Sequence, residues 1–354
     1  MKKLIALLLT LALCVCGAKT EAPAEEPAEE TAAEETQEAP ENREIVMGAL
    51  SLLNMTEEEF LSMTNGKVIG LKYLAEQGVY HSEKDMSNMP EISGVIFFDT
   101  LDAMLMALEA GDITSAEVPQ CTADYLCAHN DKLTTRGYFD LNGVDDFTKN
   151  VAYRLGVGFS LLTMEDKAAL RDEIDGALTE MQEDGTLDAL IQTYITDGAE
   201  GQPEPIEFTK TDGETIRVAI TGALPPMDYV AADGTPAGFN TALLAELGKR
   251  LNVNFELVQV DSLGRAAALA SGNVDLVFWT NGSNEKGGGA GKTPEEFKAY
   301  RQEQETEMSE EQAALMKAIG GDIKPGKRHN RDIPEGTIIT QPYYNDFMVA
   351  VGLK

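Results

Sequence analysis

The chain has 354 residues, a formal net charge of -32, 43% hydrophobic residues and 6% aromatic ones. That length and apolar share allow one or two buried cores, so a folded α/β body is expected. The surplus of carboxylates excludes nucleic acid as a partner, because phosphates need Lys and Arg, while it keeps an exported protein soluble and does not by itself imply a cationic ligand.

Met1 to Gly17 reads as an export signal: Lys2 and Lys3, an apolar stretch from Leu4 to Val15, then Cys16 and small residues. The apolar stretch is too short to cross a bilayer as a helix. Cys14 or Cys16 stands where a bacterial lipoprotein signal puts its lipidated cysteine. Cys16 is favoured, although Val15 is not the usual small residue before it. Residues 1–16 are therefore expected to be a signal peptide, with lipidation on Cys16. Residues 17–44 are a run of Glu, Ala, Pro and Thr. Like charges without apolar residues cannot offset ordering entropy, so an extended, disordered acidic tether is expected.

Residues 45–200 read as a first folded unit. Met47–Met63 is predicted helical and Lys67–Lys72 a strand. Val95–Phe98 is predicted as a strand, then a helix over Leu101–Ala110, a strand-like stretch after Gly111 and a helix near Thr122–His129. Ala152–Leu161 carries an apolar strand pattern. Met164–Met181 is an amphipathic helix with apolar positions at Ala168, Leu170, Ile174, Leu178 and Met181; Gly185 breaks it, and Leu187–Ile195 forms a last short helix. Strands alternating with helices imply parallel-sheet units. Cys121 and Cys127 lie six residues apart. On one helix they would stand about 9 Å apart along the axis, beyond disulfide reach, so pairing needs one of them before the helix. His81, His129 and His329 have no ligand spacing. No metal or cofactor is expected.

A polar linker spans 201–215. Residues 216–354 then give a strand at Ile216–Ile220, a Pro-Pro loop, a turn at Asp233–Gly234, an amphipathic helix at Asn240–Leu251 and a strand at Asn254–Val260. An apolar strand at Val274–Trp279 follows, and TIITQPYYNDFMVAV covers Thr337–Val351. Residues 287–334 read as an insertion with an exposed-looking helix over Pro294–Ile319. Its stripe of Phe297, Tyr300, Met308, Ala313, Leu315, Met316 and Ile319 can dock on the body, and a basic patch covers Lys324–Arg331. A solvated surface excursion is the plainer reading, a partner-docking arm the sharper one. GGGAGKT at Gly287–Thr293 fails the phosphate-loop spacing, since Lys286 stands where the first Gly is needed.

The Pro-Pro-x-x-Tyr loop, DGTPAGFN, ALASGNVDLV and QPYY, in this order, resemble the first lobe of the family 3 extracytoplasmic solute-binding proteins. These are the receptors of polar amino acid ABC importers. GVIFFDTLDAMLMALEAGDITSAEV (Gly94–Val118) resembles that family's second lobe, and AYRLGVGFSLLTMEDKAALRDEIDGALTEMQEDGTLDALIQTYI its C-terminal ending. The resemblance implies a two-lobed periplasmic-binding-protein-like (type II) α/β fold, each lobe a mainly parallel sheet flanked by helices. The lobes stand in swapped order: 45–200 second-lobe-like and 216–354 first-lobe-like. A circular permutation is the expectation, with two degenerate half-domains or a truncated tandem as alternatives.

Carried over by position, the resemblance puts Met227, Asp228 and Tyr229 on the first-lobe wall of a ligand cleft, with Trp279, Thr280 and Asn281 after the next strand. Ser283 and Lys286 fall at the family's T-x-x-R motif, where Lys offers a point charge without the arginine fork. Trp279, the sole Trp, suits stacking on a flat ligand group or plain core packing. One of Tyr343 and Tyr344 is expected at the lobe interface. On the second wall, Pro119 stands where the family has an ammonium-binding Asp, and Leu74–Ala75 where it has a Gly-Thr loop. Glu117 or Asp99 would have to compensate. The implied function is a lipid-anchored monomeric receptor on the outer face of the bacterial cytoplasmic membrane. It would bind a small polar, amino-acid-like solute and deliver it to an ABC permease by hinge closure. The chain shows no nucleophile–base pair, so it is not read as an enzyme. The alternative is a degenerate lipoprotein of that fold with a signalling or adhesion role.

Overall fold

Two long strands, each entering from a different half of the chain, organise the computed structural model. It describes residues 45–50, 57–82, 92–199, 206–231, 233–261, 264–282, 308–320 and 334–354. The expected signal peptide with Cys16, the tether, Ser283, Lys286, the Gly-rich run at 287–293 and the basic patch lie outside the described residues, as does the insertion helix before residue 308.

The chain begins with β1 (Val46–Leu50), α1 (Glu57–Glu76) and β2 (Tyr80–Ser82). β3 (Gly94–Phe98), α2 (Leu101–Ala110), β4 (Ser115–Pro119) and α3 (Gln120–His129) alternate after it. Then come β5 (Leu133–Thr135), β6 (Gly137–Phe139), α4 (Asp146–Arg154) and β7 (Gly156–Met164). α5 (Ala168–Glu183) and α6 (Thr186–Ile191) follow, the latter continued by a π-helical turn. The second half runs β8 (Thr215–Ile220), β9 (Ala223–Leu224), β10 (Asp228–Val230), β11 (Pro236–Ala237), α7 (Phe239–Leu251), β12 (Asn254–Gln259), α8 (Gly264–Ala270) and β13 (Leu276–Gly282). It ends with α9 (Glu310–Gly320), β14 (Thr337–Ile339) and β15 (Tyr344–Leu353).

The chain is α/β and two-lobed. One lobe has the order β12-β8-β13-β7 and the other β3-β1-β4-β15. In each, three strands run parallel with the earliest in the middle, and the fourth is antiparallel. That fourth strand arrives from the other lobe. β7 leaves α4 of the second lobe and pairs with β13. β15 pairs with β7 through Tyr344–Phe347, then with β4 through Met348–Val351. Apolar side chains of β8, α5 and α7 (Val218, Ile174, Leu178, Leu243, Leu247) form the largest core. Met104, Leu108, Val118 and Val351 form the core of the second lobe.

Several expected elements differ from the structure. Residues 46–50 form a strand and 57–76 a helix, where a helix over 47–63 and a strand over 67–72 were expected. β1 is buried between β3 and β4 and needs no polar face, so its pattern does not alternate. Val68 and Ile69 bias their segment towards a strand, but tertiary packing of α1 overrides that preference. Residues 152–154 complete α4, and the expected strand begins only at Gly156. The first half of the chain also contributes to the first lobe. β7 and α5 pack with β13 and α7, and Arg250 of α7 bonds Asp184 at 2.8 Å. Both cysteines lie on α3 and are free.

Asp346 sits where β15 changes lobes and is 6% exposed. Its Oδ2 accepts from the Cys121 backbone N–H at 2.9 Å, in the first turn of α3, and its Oδ1 from Phe347 N–H at 2.8 Å. Burial pushes its pKa up to about 6, against the lowering by those two bonds. The folded pKa exceeds the unfolded value, so the native state holds the extra proton between roughly pH 4 and 6. Stability from this group is present below that range and lost as pH rises through it. Asp346→Asn removes the charge but leaves one of the two backbone N–H groups without an acceptor. Its stability relative to the parent is therefore expected to rise by about 2 kcal/mol from pH 4 to pH 8 in urea denaturation. An equal difference at both pH values would contradict a charged, buried carboxylate at the crossing.

Candidate functional site

The Pro-Pro loop holds the start of α7. Backbone N–H groups of Phe239 and Asn240 donate to the carbonyls of Pro226 and Met227 at 3.0 and 2.8 Å, satisfying donors that a helix start leaves open. Gly238 makes this possible. Its φ is 98°, and a Cβ there would lie 2.6 Å from Pro226 O. This explains the Gly in DGTPAGFN on steric grounds.

A narrow cleft opens between the lobes, with about 60 Å³ of enclosed space, less than small-molecule sites usually offer. Leu50, Asp99 and Thr100 come from the second lobe, at the C-terminal ends of β1 and β3. From the first, Thr221 follows β8, Trp279 and Thr280 come from the part of β13 that runs past the end of β8, and Phe159 of β7 lies between. Ligands of open parallel sheets sit at such strand ends, because the loops there are free of sheet pairing.

Asp228 lines this cleft yet is 4% exposed. Its Oδ2 accepts from the Thr221 backbone N–H at 2.8 Å and the Thr221 hydroxyl at 3.0 Å. Burial raises its pKa, against the Thr221 and Gly222 bonds and the charge of Arg265. It fixes the loop after β8 and forms part of the floor. Arg265, on the first turn of α8, donates to Phe278 O at 2.9 Å, and its guanidinium stands 5.1 Å from the Trp279 ring centroid. One cation is thus held at the cleft wall by a carbonyl and an aromatic face. Across the cleft stands exposed Asp99.

The sequence-derived residues separate in space. Asp228, Trp279 and Thr280 line the cleft. Met227 is fully buried in the core with Phe239 and Leu243. Tyr229 is half-buried, its ring 5.9 Å from Tyr125 of the other lobe, so it bridges the lobes. Asn281 is opposite Gly158 in the β13–β7 register. Ser283 and Lys286 fall outside the described residues. The Glu117 carboxylate pairs with Lys67 of α1 at 3.4 Å, both largely covered. Leu74 is buried in α1 and Ala75 follows it there, so no loop stands at that position. Tyr343 is buried and donates to Asn240 Oδ1 at 2.8 Å, while Tyr344 packs on Phe159, 5.8 Å between centroids.

Sequence reasoning missed Arg265, Thr221 and Phe159. Arg265 did carry a signal: a lone cation among alanines at the start of the helix feeding the Trp279 strand. Among the described residues, no group of three or more His, Cys, Asp or Glu could hold a metal, and no helix is long and apolar enough to cross a membrane.

Residues 216–286 match the model of a family described as bacterial extracellular solute-binding proteins, family 3. No curated protein matches the chain. Among solved structures, the chain is similar to the zinc-bound ligand-binding component of an ABC-type import system from Staphylococcus aureus. The identity is 12%, over 87% of this chain and 65% of that one, with a TM-score of 0.32. It is also similar to a phosphate-binding protein of a phosphate ABC transporter from Streptococcus pneumoniae: 11% identity, 88% and 89% coverage, TM-score 0.29. The aliphatic sulphonate binding protein SsuA from Escherichia coli gives 12%, 88% and 61%, with a TM-score of 0.29. The chain spans less than two thirds of the length of the first and third of these.

Because Trp279 is the only tryptophan, its fluorescence reports on the Arg265 contact. Arg265→Ala is expected to shift the emission maximum and lower stability by about 1 kcal/mol, with Arg265→Lys intermediate. An emission spectrum unchanged in both variants would mean that the guanidinium does not rest on the ring.

Proposed function

We propose that the chain is an extracytoplasmic receptor that closes its lobes around a small polar solute for ABC-type import. The observation that carries this reading is the cleft at the strand ends, faced by both lobes, with Arg265 on one wall and Asp99 on the other. The family match over residues 216–286 supports it independently. The chemistry of the walls favours a solute bearing both an anionic and a cationic group, as an amino acid does. Arg265 offers a planar set of N–H donors suited to a carboxylate. Asp99 offers acceptors suited to an ammonium. Phe159, Phe278 and Leu224 give the apolar surface between them. Closure gains contacts from both walls only when the lobes meet, which is how binding energy drives the hinge.

We further propose that lipid on Cys16 anchors the receptor and that a membrane permease receives the solute. The lobes are read as permuted. A family match that falls after the other lobe in sequence supports this. A second reading has one specific support. Glu117 is engaged by Lys67, and Pro119 stands where an ammonium-binding carboxylate would be expected. A degenerate site with a signalling or adhesion role follows if the cleft holds no solute.

A thermal-shift screen of amino acids, amines and short peptides separates the two. A specific binder stabilises by mass action, about 2.7 kcal/mol at a hundredfold excess over Kd. Stabilisation by a zwitterionic solute, lost in Arg265→Ala and weakened at least about tenfold in Asp99→Asn, is the expected result. No response to any member of the panel would overturn the receptor and favour the degenerate site.

A further inference from the structure

The segment between β13 and β14 starts and ends in the first lobe, because both strands pair with β7 there. Its described helix, α9, is nevertheless seated on the second lobe. α9 carries its own start signal. Ser309 Oγ accepts from Gln312 N–H at 3.2 Å, and Gln312 Oε1 accepts from Ser309 N–H at 2.9 Å, a reciprocal capping box. Met316 and Ile319 are 7% and 5% exposed, packed with Leu74, Val79, Val151, Ala152 and Leu155. The approach to α1 is close. A Cβ on Gly66 would lie 2.7 Å from Ile319 O and 3.1 Å from Ala318 O, and one on Gly70 would meet Ile319 Cδ1 at 3.3 Å.

The place of docking is what matters. Leu155 is the last residue before β7 leaves the second lobe. Phe347, packed against the same cluster, is the residue of β15 opposite Gly156 at the crossing. It also stacks on Phe139, 4.3 Å between centroids. One apolar cluster therefore holds α9 together with the roots of both crossing strands.

We propose that α9 is a hinge brace. Docked against the roots of both crossing strands, it sets how easily those strands bend. Bending at β7 and β15 moves Leu155 and Phe347, and any such movement loosens the packing of Met316 and Ile319. Packed side chains resist this because interiors are close-packed and lose contacts at small displacements. The brace does not depend on what the cleft binds.

Ile319→Asp in the full chain places a carboxylate in the docked face and releases α9, and Ile319→Ala is the milder variant should the first fail to fold. Backbone hydrogen exchange is read by mass spectrometry without added solute. Release of α9 is expected to raise exchange across Gly156–Phe159 and Tyr344–Met348 by about tenfold, with β8 and β12 unchanged. Faster exchange confined to α1 and α9, with both crossings unaltered, would overturn it and leave α9 as a local covering helix.

Discussion

The exchange of β7 and β15 between the lobes is the constraint on which the rest depends. Each lobe needs a fourth strand to pair the open edge of β13 or β4, and each receives it from the other. An unpaired strand edge leaves backbone donors and acceptors unsatisfied, so neither sheet is complete by itself. The two lobes are thereby joined by hydrogen-bonded sheet at two places rather than by a flexible linker. Motion between them is confined to bending at those strands. Asp346 marks the crossing, with its carboxylate held by the start of α3.

The cleft follows from that arrangement. The parallel strands of both lobes end facing the gap, which brings loops with free backbone groups to opposite walls. The residues there divide by task. Asp228 and Thr221 fix one loop. Arg265 is clamped over Trp279 and the Phe278 carbonyl, which orders a long, flexible side chain before any solute arrives. Asp275, the Asp of ALASGNVD, works from outside the cleft. Burial pushes its pKa up, but bonds from Lys167 at 2.8 Å and from Arg217 outweigh it and hold the carboxyl below its ordinary value. It ties β13 to β8 and to the residues after β7.

Much of the fold was legible where local chemistry and packing agree. Gly238 is demanded by a backbone approach, Gly111 ends α2 at a φ of 84°, and the strands at Val95 and Ile216 are short apolar runs with turn residues around them. The segment around Lys67 was misread because Val68 and Ile69 favour strands. Its two glycines weaken a helix alone, and their role against α9 is visible only in space. The site was less legible. Asp228, Trp279 and Thr280 reach the cleft, but Met227 one residue earlier turns into the core, and Glu117 turns to Lys67. Side-chain direction flips with each residue of an extended chain, so one position decides between cleft and core. Arg265 was missed because a lone cation among alanines does not show which aromatic face and carbonyl it will meet.

The most direct measurement is of strand dependence. Residues 206–354 alone retain β8, β12 and β13 but lack β7, to which β13, β14 and β15 pair. Circular dichroism with urea titration should show no cooperative transition for this half, and cooperative folding should return when residues 45–199 are supplied on the same chain. A half that unfolds cooperatively as a monomer, with the same slope and midpoint as the first lobe in the full chain, would contradict the mutual completion of the two sheets.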